Sequence, residues 1–342
     1  MKTFISLSAL FLSLSLTAQT NPATWYLNDT SGNGIQSSSN TASGEQSTAM
    51  GYGTEASGYN STAMGRDTEA SGYYSIAWGI DTKASGQSST AIGDSTTASE
   101  SNSTAMGNTT TASGEASTAM GYGTIAQGHY STTLGYETTA TNFHSTAMGR
   151  KTTASGINST AMGYYTTASD RSSLVIGEYN SLGSTVTNSA TQFSLENTAF
   201  VIGNGADGNS RSDALTVLFD GTTTIAGDLN VNSDARLKAN IVSLGFTLSK
   251  LLQIDGKSYT MKKDESEKQK IGLLAQDIEK VFPELVSESH GIKSVNYQGL
   301  VPVLINALKE QDSKMNEQEA KLNKQQAEID ELKAIVTKLI TP

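Results

Sequence analysis

A strict repeat with a 14-residue period fills the middle of this chain and constrains its fold more than any other feature. Ten units run without insertion from Ser47 to about Val186, and serine opens each of them. A fixed short period indicates that each unit is one coil stacked on the next, so the sequence predicts a solenoid. The fifth place is glycine in all ten units, at positions 51, 65, 79, 93, 107, 121, 135, 149, 163 and 177.

The small residues of each unit predict what lies inside the coil. Two short strands are expected per unit, around Ser47–Gly51 and Thr54–Ser57 in the first, each followed by glycine or a small residue at a turn. The eighth place is threonine and the tenth is alanine in the nine complete units. Since side chains alternate between the two faces of a strand, both columns share one face. A coil this narrow holds only small side chains, so these columns and the third-place alanines are predicted to line its interior.

The fourth place of the repeat carries a large apolar side chain in every unit, on the face opposite Ala49. This apolar stripe would extend over about 48 Å if ten strands stack at the usual spacing. Soluble monomers rarely expose such a surface, so a symmetric homo-oligomer is predicted. The alternative is that the fourth place forms the core of the coil itself. The stripe consists of Met50, Met64, Trp78, Ile92, Met106, Met120, Leu134, Met148, Met162 and Ile176.

Composition and charge exclude several classes of function. The 342 residues include no cysteine, which excludes disulfides, zinc–thiolate sites and thiol catalysis. We expect no cofactor and no metal. Residues 1–232 hold 7 Lys and Arg against 17 Asp and Glu, whereas residues 233–342 hold 16 of each. The net charge of −10 therefore lies in the first part, and with no basic surface neither nucleic acid nor an anionic membrane is an expected partner.

The N-terminal segment, residues 1–18, has the pattern of a secretory signal peptide. Lys2 precedes an apolar stretch that ends before Thr17 and Ala18, which favours cleavage after Ala18. A short buried helix is the alternative. No later stretch is as long and as apolar as a membrane span. We therefore expect a secreted or cell-surface protein.

Changes of composition predict six segments. The sharpest change lies at Asn232–Ser233, where Lys, Glu, Gln and Leu become frequent and helical spacing appears. Between the repeats and this boundary, three apolar runs near 199–203, 214–219 and 222–225 predict strands joined by hairpin turns. The segments are a signal peptide (1–18), a lead-in with a degenerate repeat (19–46), the repeats (47–186), a β-rich neck (187–232), a fifth domain (233–300) and a C-terminal coiled coil (301–342).

The repeat unit resembles the head repeat of trimeric autotransporter adhesins. The resemblance rests on Ser-x-Ala-(Met or Ile)-Gly followed by Ala-x-Gly on a 14-residue period, and it extends over the whole repeat region, 47–186. It implies a left-handed parallel β-roll associated as a trimer. The predicted fold class is accordingly mainly β: a trimeric left-handed parallel β-roll solenoid, a short β-rich neck, then an α+β domain that ends in a trimeric coiled coil.

The segment after Asn232 resembles a second family, the intramolecular chaperone domain of phage endosialidases and other tailspikes, which is a self-cleaving serine peptidase. The order and spacing of four blocks between positions 233 and 300 carry this resemblance. The blocks are Ser233–Ile241, Gly272–Asp277, Val281–Val286 and Val295–Leu300.

The resemblance implies a catalytic dyad. In that family the Ser and Lys of a Ser-Asp-x-Arg-x-Lys pattern act together and the chain is cut before the serine. Here Ser233 would be the nucleophile, Lys238 the base and Asn232–Ser233 the scissile bond. A serine hydroxyl is a weak nucleophile until a base takes its proton, and a lysine serves as that base once burial lowers its pKa. Asp234 or Arg236 is expected to orient the pair, and pairing within one subunit or between subunits stays open. The alternative is an ordinary helix that starts at a Ser-Asp N-cap.

The C-terminal segment, 301–342, shows a heptad pattern. Apolar residues recur every seven, and a second position three places later completes the seam. A trimer agrees with the repeats, although heptads alone also support a dimer. The first positions are Val301, Leu308, Met315, Leu322, Ile329 and Val336, and the second are Leu304, Gln311, Gln318, Gln325, Leu332 and Leu339.

These patterns predict a secreted homotrimeric adhesin-like fibre whose C-terminal chaperone drives assembly and is released by autoproteolysis, its only expected enzyme activity. A host-surface, matrix or glycan ligand is the expected partner beside the chain itself. One alternative is a tailspike or glycan-processing protein, which requires paired carboxylates in a groove. Its candidates are Glu55, Glu69 and Asp81. The other is an ice- or mineral-binding solenoid, which requires an outward threonine ladder, but the ninth place of the repeat is mixed.

Overall fold

The computed structural model describes residues 26–27, 35–37, 39–182, 190–262 and 267–340. The predicted signal peptide, residues 1–18, lies outside the described residues. The chain forms two compact units that divide between Asn230 and Val231. Within the described ranges, no helix combines the length and the apolar character needed to cross a bilayer.

The first unit is a parallel β-solenoid, as the repeat predicts. Each 14-residue unit forms one coil with a long and a short strand, and equivalent residues of successive coils pair in register, as Gly51 pairs with Gly65 and Ala56 with Ala70. The long strands are Thr48–Tyr52, Thr62–Arg66, Ile76–Ile80, Thr90–Asp94, Thr104–Asn108, Thr118–Tyr122, Thr132–Tyr136, Thr146–Arg150, Thr160–Tyr164 and Leu174–Glu178. The short strands are Glu55–Ala56, Glu69–Ala70, Lys83–Ala84, Thr97–Ala98, Thr111–Ala112, Ile125–Ala126, Thr139–Ala140, Thr153–Ala154 and Thr167–Ala168.

Small side chains fill the interior of the coils. In the second coil, Ser61, Ala63, Thr68 and Ala70 are at most 1% exposed, and the equivalent places are buried along the stack. The predicted alanine and threonine columns are therefore confirmed. The serine column was not predicted to lie inside, but it does, because the first and third places share one strand face.

The apolar stripe lies outside the coil. Trp78 is 54% and Leu134 is 41% exposed, and the other eight fourth-place side chains are half-buried or exposed. The alternative that the fourth place forms the core of the coil is wrong. The coil interior is already filled by alanine, serine and threonine, so the large side chains point away from it.

Close backbone approach explains the glycine at the fifth place. Gly107 has φ +127°, and a Cβ atom added there would lie 2.0 Å from the carbonyl oxygen of Gly121 in the next coil. The same contact recurs from Gly51 to Gly177. Both the conformation and the space admit only glycine.

We expect Gly107→Ala to lower the free energy of unfolding of the solenoid by about 3 kcal/mol, because it combines backbone strain with overpacking against a rigid carbonyl. Gly227→Ala is the matched control, since a Cβ atom there would have nothing within 4 Å. Thermal unfolding followed by circular dichroism measures both variants. Equal melting temperatures for the two variants would contradict the packing argument.

Two corners close each coil, and most of their residues are not glycine. The seventh and fourteenth places take left-handed φ values, as at Asp67 (53°) and Tyr74 (60°). The prediction of glycine or small residues at the turns is therefore only partly right. Hydrogen bonds between coils hold the strained residues, as when Tyr74 N–H donates to the carbonyl of Tyr59 at 2.8 Å. Side chains at the corners also stack, as Tyr130 and His144 do with ring centroids 5.0 Å apart.

Asparagine covers both ends of the short sheet. Asn40 Oδ1 accepts a hydrogen bond from Thr54 N–H at 2.9 Å, and Asn180 Oδ1 accepts one from Thr167 N–H at 2.7 Å. Each asparagine occupies the place that threonine holds within the stack. The side-chain amides therefore satisfy backbone groups that no further short strand pairs.

The long sheet continues beyond the repeats at both ends. Before the first 14-residue repeat, the strand Ile35–Gln36 pairs in parallel with the first long strand. After the last repeat, Thr198–Asn204 pairs in parallel with Leu174–Glu178, and Gly203 lies opposite Gly177. The strands Asp213–Leu218 and Thr223–Ile225 follow as antiparallel neighbours. The predicted strands and hairpins of the neck are confirmed, but the first of them extends the solenoid. The remaining described strand of this sheet is Tyr26–Leu27.

The second unit packs short elements against the start of a long helix. Its core consists of Ile278, Val281, Phe282 and Val303, which are at most 9% exposed. The strand pairs Lys257–Tyr259 with Lys270–Gly272 and Val286–Ser289 with Ile292–Val295 are antiparallel. The helices are Ala235–Leu237 (3-10), Leu248–Leu251, Ala275–Val281, Pro283–Leu285 (3-10) and Leu300–Ile340.

The C-terminal helix, Leu300–Ile340, spans the heptad region without a break. It agrees with the predicted coiled coil. The seam lacks a partner within the described part of the chain: Leu308 is 68%, Leu322 is 64% and Leu339 is 80% exposed.

Candidate functional site

Ser233 and Lys238 meet within one chain. Lys238 Nζ donates a hydrogen bond to Ser233 Oγ at 2.7 Å. The residues between them form a single 3-10 turn, Ala235–Leu237, and the chain on either side is extended. The turn reverses the chain just enough for a lysine five places later to reach the serine hydroxyl.

Asp234 and Arg236 hold this turn. Asp234 is its N-cap and accepts a hydrogen bond from Arg236 N–H at 2.8 Å. The guanidinium of Arg236 also contacts both carboxylate oxygens, with Nη2 2.6 Å from Oδ2. These contacts join Asp234 to Arg236 and stabilise the turn that lies between Ser233 and Lys238. That either residue orients the pair stays a prediction.

The charge pair has a defined electrostatic effect. The Arg236 side chain, and then its backbone N–H, hold the pKa of the Asp234 carboxyl below its ordinary value. The same contact raises the pKa of Arg236. Because the turn lowers the pKa of Asp234, the contact with Arg236 stabilises the turn at pH values above the ordinary pKa of an aspartate carboxyl group. That contribution is lost as the pH falls through the lowered value.

The local structure differs from an ordinary helix start. The alternative of a Ser-Asp N-cap expected a helix through Lys238, but only one 3-10 turn forms and it is capped by Asp234 rather than Ser233. Residues 231–246 are exposed throughout, Ser233 and Lys238 included. No tertiary packing with the described part of the chain therefore extends the turn into a helix, since a short helix needs such packing in water.

The three later blocks that carry the resemblance contribute residues in or against the core of the second unit. Ile278 and Phe282 belong to or border the quoted blocks and are buried together. Tyr297 Oη accepts a hydrogen bond from Leu273 N–H at 3.0 Å and so links two blocks. Only the first block contributes to the candidate site.

The acids of the alternative function lie on the solenoid. Glu55 and Glu69 are neighbours on the short sheet, where Lys83 Nζ lies 3.5 Å from Glu69 Oε2. Asp81 occupies a strained corner, with φ 51°. This places two carboxylates side by side on a sheet face, with the third on a corner. In the described part of the chain, no group of three or more His, Cys, Asp or Glu side chains could hold a metal ion.

Family models match both halves of the chain. The model described as "YadA head domain repeat (2 copies)" matches seven segments between residues 38 and 177, some of which overlap. The model described as "Chaperone of endosialidase" matches residues 233–287 and begins at Ser233 itself. The repeat region thus matches a head-repeat model, and the segment after Asn232 matches a chaperone model. Both suspected resemblances are thereby confirmed.

Two similar proteins are phage tail fibres. This chain is 32% identical over 100 residues to the long tail fiber protein Gp37 of Escherichia phage AR1. The alignment covers 27% of this chain and 9% of that protein. The chain is 31% identical over 99 residues to Gp37 of Salmonella phage S16, which is 26% of this chain and 13% of that protein. The aligned segment thus covers about a tenth of the relatives' length.

Proposed function

We propose that this protein is a secreted homotrimeric adhesin-like fibre, with the YadA-type repeats as its rod and the endosialidase-type chaperone domain as its assembly device. Export by the signal peptide 1–18 would place it outside the cell or on the cell surface. A host-surface, matrix or glycan ligand would bind along the rod. The similarity to phage tail fibres supports a fibrous role.

The apolar stripe is the observation that carries this proposal. Ten large side chains in register lie outside the coil, and a monomer would leave this surface in water. A second unpartnered line of apolar residues follows the heptads of the C-terminal helix. Association of copies about a threefold axis would bury each of the two lines. The family of the head repeats favours three copies over two.

Autoproteolysis would follow assembly. Lys238 Nζ, as the free amine, takes the proton of Ser233 Oγ, and the oxygen attacks the carbonyl carbon of Asn232. The Asn232–Ser233 amide bond breaks as an ester forms on Oγ, and the Ser233 nitrogen receives the proton. Water then hydrolyses the ester, which leaves a carboxylate on Asn232 and a free amino terminus on Ser233. The 2.7 Å contact supports the first proton transfer.

Assembly would also supply the dry surroundings that a lysine base needs. Ser233 and Lys238 are both exposed in the single chain. A lysine becomes a base when water is excluded from it, and neighbouring subunits are the available cover. Cleavage would then be first order in assembled trimer. Released from its chaperone, the rod would have lost its route to reassembly and would persist through kinetic stability.

We expect Met106→Glu combined with Met120→Glu to convert the trimeric fibre into monomers or aggregates, because burying six carboxylates at the axis costs several kcal/mol each. The matched control is Ile125→Glu on the short sheet, where Glu55 and Glu69 occupy the equivalent place. Size-exclusion chromatography with light scattering measures the mass. A wild-type rod that is a stable monomer would contradict the proposed function.

A further inference from the structure

An extended apolar segment precedes the first α-helix of the chaperone domain. Its large side chains lie far out in solvent: Leu237 is 71%, Ile241 67%, Val242 83%, Leu244 51% and Phe246 84% exposed. No helix or strand includes residues 239–246. We call residues 237–246 the apolar arm. Single exposed apolar residues are ordinary, but five so close together in the sequence indicate a surface that another chain covers.

The arm is anchored to the C-terminal helix at its end. Thr247 is 2% exposed, and its Oγ1 donates a hydrogen bond to the carbonyl of Val303 at 2.9 Å. Glu310 accepts hydrogen bonds from the N–H groups of Thr247 and Leu248. Asn306 Nδ2 donates to the carbonyl of Gly245 at 3.2 Å. The arm therefore leaves the helix at a fixed level, between Val303 and Glu310.

This level coincides with the first heptads of the seam. With Val301 and Leu308 at the first heptad position, Ala307 takes the position that flanks the seam on one side and Ile305 the position that flanks it on the other. Ala307 is 3% exposed, whereas Ile305 is 47% exposed. Flanking positions of a coiled coil usually carry charge, so an apolar Ile305 indicates further packing there.

In a parallel coiled coil, the flanking position of one helix that Ala307 occupies faces the flanking position of the next helix that Ile305 occupies. The anchor at Val303, Asn306 and Glu310 lies on the side of Ala307, and Phe246 emerges beside it. The exposed flank of the neighbouring copy is the one that holds Ile305. Every copy thus offers an apolar arm on one side and an apolar flank on the other, at about the same height.

We propose that the apolar arm of each subunit packs against the neighbouring copy of this chain, with Phe246 covering the flank around Ile305. This inference rests on the proposed homotrimer and names a contact beyond its seam. The contact is heterologous, since two different surfaces meet, and three copies close it into a ring. It would also hold the chain next to Lys238 against a neighbour, because the arm begins at Leu237.

Photocrosslinking of the full chain tests the arm. One copy carries Phe246→benzoylphenylalanine and a co-expressed second copy carries Lys309→Arg, which changes the mass of the tryptic peptide that contains Ile305. Attachment of the probe to the heavier peptide, in proportion to the share of the second copy, is expected and occurs only between subunits. Attachment confined to the lighter peptide, or to no peptide of residues 294–309, would overturn the proposal.

Side-chain truncation supplies an independent measurement. Phe246→Ser in the full chain should weaken trimer association by about tenfold or more, as expected for the loss of one buried aromatic side chain per contact, while Phe246→Leu retains most of it. Ile271→Ser is the control, because Ile271 is 87% exposed but belongs to the strand Lys270–Gly272 rather than to the arm or the C-terminal helix. Equal association of Phe246→Ser and Ile271→Ser would refute the arm. A wild-type chain that is not a trimer would instead refute the proposed function.

Discussion

Ser233→Ala is expected to leave the full chain uncut between Asn232 and Ser233, with a loss of cleavage rate of roughly 10³-fold or more. The wild-type chain should release residues 233–342, a fragment of roughly 12 kDa at the average mass of a residue. The variant lacks the hydroxyl that lies 2.7 Å from Lys238 Nζ. Intact-mass spectrometry of the expressed protein measures both products and tests whether residues 1–18 are removed.

Two substitutions of Lys238 separate a base from a merely structural cation. Lys238→Ala removes the amine. Lys238→Arg keeps a positive charge and hydrogen-bond donors, but a guanidinium is not deprotonated in proteins and so cannot accept the serine proton. Both variants should stay uncut, whereas Lys250→Ala, another exposed lysine of the same unit, should cleave normally. All variants should still assemble, because Ser233 and Lys238 belong to neither apolar line. Cleavage by Lys238→Arg at the wild-type rate would disprove the dyad.

Removal of residues 233–342 is expected to abolish assembly of the rod, with at least about a tenfold loss of soluble trimer. Parallel pairing between distant segments is slow because the chain must lose loop entropy before contacts form. In the proposed assembly, the C-terminal coiled coil would bring three chains together in register before the solenoids form. The yield and the mass of the truncated protein, measured beside those of the full chain, show the effect. Full yield of trimer from the truncated chain would show that the chaperone domain is dispensable.

Point substitutions in the C-terminal helix test the same step without truncation. Leu308→Asp with Leu322→Asp places two charges per chain in the seam and should prevent association. Ala320→Asp is the control, since it lies on the outer side of the same helix, five places after the seam residue Met315. The control should assemble and cleave like the wild-type chain. Loss of assembly in the control alone would mean that the seam is wrongly placed.

Most of the solenoid could be predicted from the sequence, because the same packing rules apply to every coil. Alternation of side chains placed the alanine and threonine columns inside, and the size of Met106 or Trp78 placed the stripe outside. The corners were harder to predict. Left-handed residues such as Tyr74 and Lys151 have no intrinsic preference for that conformation, and hydrogen bonds between coils impose it. Local sequence does not contain those bonds.

For the candidate site, the residues could be predicted but the local structure around them could not. The family pattern named Ser233 and Lys238, and the structure brings the two side chains of one chain together, but their catalytic roles remain predictions. The short 3-10 turn was not expected, because a Ser-Asp pair is typical of the start of a longer helix. Asp234 instead caps a single turn through its contact with Arg236 N–H. The pairing of Thr198–Asn204 with the stack was also missed. A long insertion interrupts the 14-residue period before it and hides Gly203 as an equivalent of Gly177.

The in-register contact of each fifth-place glycine with the next has an evolutionary consequence. Because Gly51 meets Gly65 as Gly107 meets Gly121, each coil presents the same surface above and below. Unequal recombination between two copies of the repeat in the gene removes or adds whole coils and preserves the reading frame. Every such event changes the reach of the rod by about 4.8 Å per coil. Homologous chains are therefore expected to differ in the length of the solenoid by whole coils while the two asparagine-covered ends stay the same.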